Sequence, residues 1–156
     1  MTEATTPAST LSDEIALTAE LIGVLKEEQA HLVAADIKGL VAITEQKSRI
    51  VSNISALTMQ RYSRLAQAGY KAMEGGMRAW LDANPHDPEY DQAWAELLKL
   101  AQSVKSLNNT NGILIGKHMV YNQNALNILR GTQATGFYGP DGQATTKVQR
   151  RGVVVG

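Results

Sequence analysis

From Leu97 to Ile128 the chain repeats every seven residues, a pattern that few folds accommodate. Leu100, Leu107, Leu114, Tyr121 and Ile128 share one heptad position, here called d. Leu97, Val104, Asn111, His118 and Ala125 fall at position a, while Ala101, Ile115 and Leu129 add position e. The opposite f and g positions read Gln102-Ser103, Asn109-Thr110, Gly116-Lys117 and Gln123-Asn124, a polar face. Such spacing keeps a helical seam against a neighbour over many turns. Asp87-Pro88 has the form of an N-cap followed by proline at the first helical position, and the pattern ends at Arg130. At 1.5 Å per residue that helix would be about 65 Å long. A rod of this length needs neighbours of comparable length.

Two upstream segments supply them. Leu11, Ile15, Thr18, Ile22, Leu25, Gln29 and Leu32 recur at alternating steps of four and three, a stripe widened by Leu17, Leu21 and Val24. Asp36 then stands as an N-cap before a second stripe: Ile37, Leu40, Thr44, Lys47, Val51, Ile54, Leu57, Arg61 and Leu65, with Ile50 alongside. Polar residues dilute this second seam, so its ends are expected near solvent. No β-type alternation of similar length competes. The pattern predicts an all-α fold, an elongated antiparallel bundle of three long helices with coiled-coil-like packing. A short helix near 77–83, carrying Trp80 and Leu81, is expected to cap one end. Pro7 in its Thr/Ala/Ser surroundings predicts a disordered lead over 1–10, the bundle takes 11–130, and the Gly/Thr-rich stretch 131–156 reads as a flexible tail.

Aromatics make up only 5% of the residues, so Leu, Ile, Val and Ala must carry the core, as suits helix-on-helix packing. Charge is zero overall but blocked: one Lys and seven acids over 1–36, then five bases and Glu45 over 37–70. Opposite blocks suit two helices that fold back on each other, although exposed charges are screened within about 8–10 Å. Balanced charge offers no excess basicity for nucleic acid. With no Cys, thiol catalysis, disulfides and cysteine-ligated metals are excluded. The N-terminus lacks the basic and apolar regions of a secretory signal, and no apolar run approaches the ~20 residues of a membrane span. A soluble cytoplasmic protein is the expectation. His31, His86 and His118 lie on three segments without a carboxylate at ligand spacing, and Glu27-Glu28 lacks the Glu-x-x-His partner of a di-iron bundle. The Asp82–Asp87 stretch has Asp87 where a calcium loop needs glycine. No phosphate loop or nucleophile elbow is present. No enzyme activity, metal or cofactor is expected.

The third helix offers more apolar surface than one seam uses. Leu98, Met119 and Leu126 fall at position b, and Ile113 and Val120 at position c. Either a strip around 113–129 stays open for a partner's amphipathic helix, or another helix of the chain covers it. Gly112 and Gly116 each cost about 1 kcal/mol against Ala in a helix, which close approach by a neighbour or partner would offset. Asn111 at an a position either sets the register of the bundle or takes part in binding.

Three stretches carry a resemblance. Ile43-Thr44-Glu45-Gln46-Lys47-Ser48 lies on the second helix, and Leu107-Asn108-Asn109-Thr110-Asn111-Gly112-Ile113-Leu114-Ile115 leads into Asn122–Leu129 on the third. Phe137-Tyr138-Gly139-Pro140-Asp141-Gly142-Gln143 follows. In that order they resemble the FlgN family of bacterial flagellar export chaperones. The resemblance implies a cytoplasmic protein without catalysis or cofactor. It would bind C-terminal helical segments of the hook–filament junction proteins FlgK and FlgL, prevent their premature assembly and deliver them to the export gate protein FlhA. By position, Asn111, Gly112, Ile113, Met119, Val120 and Leu126 would touch the client, and Tyr138 and Gly139 would dock on the gate. A monomer forming a one-to-one client complex is expected. The alternative is a structural coiled coil that self-associates through the same band.

Overall fold

A computed structural model describes residues 5–131. A 3-10 turn, Pro7–Thr10, leads into helices α1 (Leu11–Ala34), α2 (Ile37–Gln67), α3 (Glu74–Ala83) and α4 (Pro88–Gly131). Among the described residues there is no strand. The chain groups into two compact units, residues 1–112 and 113–156. The first contains the packed core. Of the second, the described part is the C-terminal stretch of α4.

Local chemistry sets the helix ends. Ala35 closes α1 in the left-handed conformation at φ 53°, and the amides of Ala35 and Asp36 turn back to the carbonyls of Leu32 and His31. Asp36 then caps α2: its Oδ1 accepts the Gly39 amide at 3.0 Å, and its Oδ2 lies 3.1 Å from His31 Nδ1. The Gly39 amide, reinforced by His31, holds the Asp36 carboxyl below its ordinary value. A Cβ at Gly39 would crowd the His31 ring and the Asp36 carboxylate, so a side chain there would push that pair aside. Gly69, at φ 88°, turns the chain out of α2. α3 starts at Glu74, a turn earlier than the sequence suggests, with Gly76 pressed so closely on the Lys71 carbonyl that no side chain fits.

Residues 5–10, the described part of the lead, include a capped 3-10 turn where the sequence predicts disorder. Thr6 Oγ1 accepts the Ala8 amide at 3.2 Å and the Thr6 amide donates to Ser9 Oγ at 2.8 Å, which closes a reciprocal cap. This turn buries Pro7, Ala8 and Thr10. Ala8 joins Leu11, Leu65, Met77, Trp80, Leu81, Trp94 and Leu97 in one core cluster, to which α3 contributes Met77, Trp80 and Leu81. A second cluster holds Leu21, Val24, Leu25, Ile43 and Ile50, with Val104 and Leu107 packed against it.

The buried seam of α1 runs Leu11, Glu14, Thr18, Leu21, Leu25, Glu28, Leu32, so the Glu14 and Glu28 carboxylates occupy core positions where the periodic reading placed Ile15 and Gln29, and Leu21 takes that of Ile22. On α2, Ile43 and Ile50 enter the core in place of Thr44 and Val51, and Ile37 is exposed. The far end of the α2 seam is also drier than expected, for Arg61 is only 4% exposed. Arg61 Nε donates to Glu14 Oε2 at 3.0 Å and Nη2 to Oε1 at 3.1 Å. Thr58 and Thr10 hydroxyls donate to the same carboxylate at 3.0 and 2.9 Å. The guanidinium lies 4.9 Å from the Trp94 ring centre and 5.1 Å from that of Tyr62. Opposite charge and aromatic faces together replace the water that the guanidinium loses.

A second polar layer sits two heptads along α1. Glu28 receives Lys47 Nζ at 3.3 and 3.2 Å and Asn111 Nδ2 at 2.9 Å. Asn111 Nδ2 also reaches the Leu25 carbonyl at 2.9 Å. Three helices thus meet at one carboxylate, which fixes the register of α4 on α1.

Candidate functional site

Beyond Gly112 most of the heptad seam of α4 is exposed, with Leu114 and His118 half-buried. Tyr121 and Ile128, both d residues, are 74% and 70% exposed. Ile113, Ile115, Met119, Val120, Leu126 and Leu129 are exposed as well. Isolated apolar residues on a surface are ordinary, whereas eight exposed along five turns of one helix are of the density that marks an interaction site. Burying one such side chain contributes about 1.5–3 kcal/mol.

Of the client-contact residues expected from sequence, Gly112, Ile113, Met119, Val120 and Leu126 all lie exposed on α4. Asn111 does not. It is 1% exposed and spends its amide on Leu25 and Glu28, so its place is in the register-setting layer. Tyr138 and Gly139 lie outside the described residues. Nothing lies within 4 Å of a Cβ built at Gly112 or Gly116, so the room these glycines leave is open.

Sequence reasoning missed Tyr121, Ile128, Ile115 and Leu129, which it assigned to the internal seam. The signal was available at position a: Asn111, His118 and Ala125 are two polar residues and a small one where a continuing core wants Leu or Val. Charge adds a second property. From Leu97 to Gly131 there is no acid, against Lys99, Lys105, Lys117 and Arg130.

Two other places are built for structure. A cavity of about 200 Å³ is lined by Glu14, Thr58, Arg61 and Trp94, but Arg61 and Thr58 are both spent on the Glu14 carboxylate. At the start of α4, Arg78 donates to Asp82 Oδ1 at 2.6 Å and to Asp91 Oδ1 at 3.0 Å. His86 Nδ1 lies 2.8 Å from the Asn84 carbonyl and Nε2 2.6 Å from Asp91 Oδ2. Both ring nitrogens face acceptors, so both bonds form together only in the imidazolium. The Asn84 carbonyl, then Asp91, raise the His86 pKa above its ordinary value. His86 in turn, with Arg78, lowers that of Asp91. This clamp joins α3 to α4. Among the described residues no cluster of His, Asp and Glu could hold a metal ion, and no helix is long and apolar enough to cross a membrane.

The family model described as FlgN protein matches residues 1–146. The chain belongs to the FlgN family. Relatives named flagella synthesis protein FlgN agree in extent. The protein of Yersinia enterocolitica is 29% identical over 136 residues, 86% of each chain. That of Salmonella typhimurium is 30% identical over 135 residues, 85% of this chain and 84% of its own. That of Escherichia coli K12 is 28% identical over 141 residues, 89% and 90% of the two chains. No solved structure matches. The FlgN match takes in both the polar layers of the core and the exposed stretch of α4.

Proposed function

We propose that this chain is a cytoplasmic export chaperone of flagellum assembly. It receives the C-terminal helical segment of the junction proteins FlgK and FlgL along residues 113–129 of α4. There it keeps them from polymerising and passes them to the export gate protein FlhA. The observation that carries this reading is the row of eight exposed apolar side chains on one unbroken helix, in a family whose members are named for flagella synthesis. A client terminus that assembles through apolar helices needs a complementary apolar surface until export. Ordering that terminus costs about 2–5 kcal/mol of the interaction, which keeps the complex releasable. The role needs neither catalysis nor a cofactor. Tyr138 and Gly139 are assigned to gate docking by their place in the tail motif.

Calorimetry with the purified C-terminal segment of FlgK tests the reading. One-to-one binding is expected, weakened about tenfold or more by Leu126→Asp, since about 1.4 kcal/mol of lost burial is a factor of ten. Helix content should be unchanged. Tyr138→Ala should spare this complex and impair binding to FlhA. A tight dimer that ignores the segment, seen by sedimentation, would replace the chaperone reading with structural self-association.

A further inference from the structure

Seven of the eight exposed apolar residues of the second unit fall into two groups on opposite sides of the helix, and Leu129 lies between them, about 40° from Ile115. At about 100° per residue, Ile113, Val120, Tyr121 and Ile128 fall within an arc of about 100°. Ile115, Met119 and Leu126 fall within about 40° of one another, centred roughly 170–190° away from the first group. All seven are exposed. One helix laid against α4 covers an arc of about 100°, so it meets one group and leaves the other in water. A helix that is apolar on both sides is normally enclosed on both.

Charge narrows the occupant. Lys117 lies inside the first arc, between Ile113 and Tyr121, and Arg130 borders the second. With no acid from Leu97 to Gly131, a second copy of this chain would bring lysine against lysine across a two-fold contact. A partner with acidic residues at the borders of its apolar faces meets both arcs without that repulsion.

Resting on the client-binding reading above, we propose that residues 113–129 are clasped from both sides by two amphipathic helical segments of one client molecule, the segment over Lys117 carrying an acidic residue opposite it. The two sides then contribute to affinity separately.

The test uses the full chain and the purified C-terminal segment of FlgK, with affinity read by calorimetry and helicity by circular dichroism. Val120→Asp on one side and Leu126→Asp on the other are each expected to weaken binding at least tenfold at unchanged helicity. Lys117→Glu should weaken it severalfold and reduce its salt dependence. If only one side matters, the two-sided clasp is overturned while the client reading stands. If neither matters, both fall. Lys117→Glu without effect overturns the acidic partner residue, and a salt-sensitive dimer of the free chain overturns the exclusion of a second copy.

Discussion

Removing the Glu14 carboxylate while keeping Arg61 should be among the most damaging single changes in the core. In Glu14→Leu the guanidinium loses its three carboxylate bonds, at 3.0, 3.1 and 3.3 Å, inside a site where Arg61 is 4% exposed. It keeps its charge, because arginine does not deprotonate in proteins. Nη1 is already without a partner, so no spare bond compensates. Orphaning a buried charge in this way costs about 3–5 kcal/mol, against the ~5–15 kcal/mol that holds a typical domain together. Arg61→Met is milder, since the Thr10 and Thr58 hydroxyls still donate to the carboxylate. The double variant Glu14→Leu/Arg61→Met removes both charges and should return close to the parent. Urea unfolding followed by circular dichroism gives the cycle, with a coupling of about 2–3 kcal/mol or more expected. Additive single effects would show that the pair does not hold the core as its geometry indicates.

Three other perturbations probe separate features. Ala35→Gly should stabilise by roughly 0.5–1 kcal/mol in thermal unfolding, because the left-handed conformation at φ 53° strains alanine by more than the entropy glycine loses. Gly112→Ala should stabilise the free chain by up to about 1 kcal/mol, its Cβ meeting nothing within 4 Å, and weaken FlgK-segment binding if the client backbone approaches there. His86 has a folded pKa above its unfolded one, so its bonds to Asn84 and Asp91 stabilise fully below the unfolded value near 6.5. That contribution is lost as pH rises through the folded value, and His86→Ala should flatten this part of the stability–pH profile.

Periodicity made the helices legible, because an apolar side chain every three or four residues lines one face of a helix and of no other regular backbone. The starts of α2 and α4 followed from Asp36 and Asp87-Pro88 for the same local reasons seen in the structure. The seam glutamates were hidden: Glu14 and Glu28 pattern as surface residues, and only their partners Arg61, Lys47 and Asn111 on other helices make them core. Thr6 and Ser9 likewise hold the turn Pro7–Thr10 within a stretch whose composition reads as disorder, through a reciprocal cap that composition does not reveal. At the candidate site, the sequence drew its strip from Asn111 at position a and from residues at positions b and c, while the structure buries Asn111 and also exposes Tyr121 and Ile128 at position d. Whether Tyr121 and Ile128 are covered depends on what lies against them, which a heptad does not state.

The absence of cysteine allows the central claim to be tested by one measurement. A single Val120→Cys variant, alkylated with and without the FlgK C-terminal segment, reports directly on coverage of α4, with Leu25→Cys as the buried reference. The thiol at 120 is expected to react in the free protein nearly as fast as in an unfolded chain, and at least tenfold more slowly in the complex. Slow labelling in the free monomer, or a rate that client leaves unchanged, would contradict an open α4 that closes on its client.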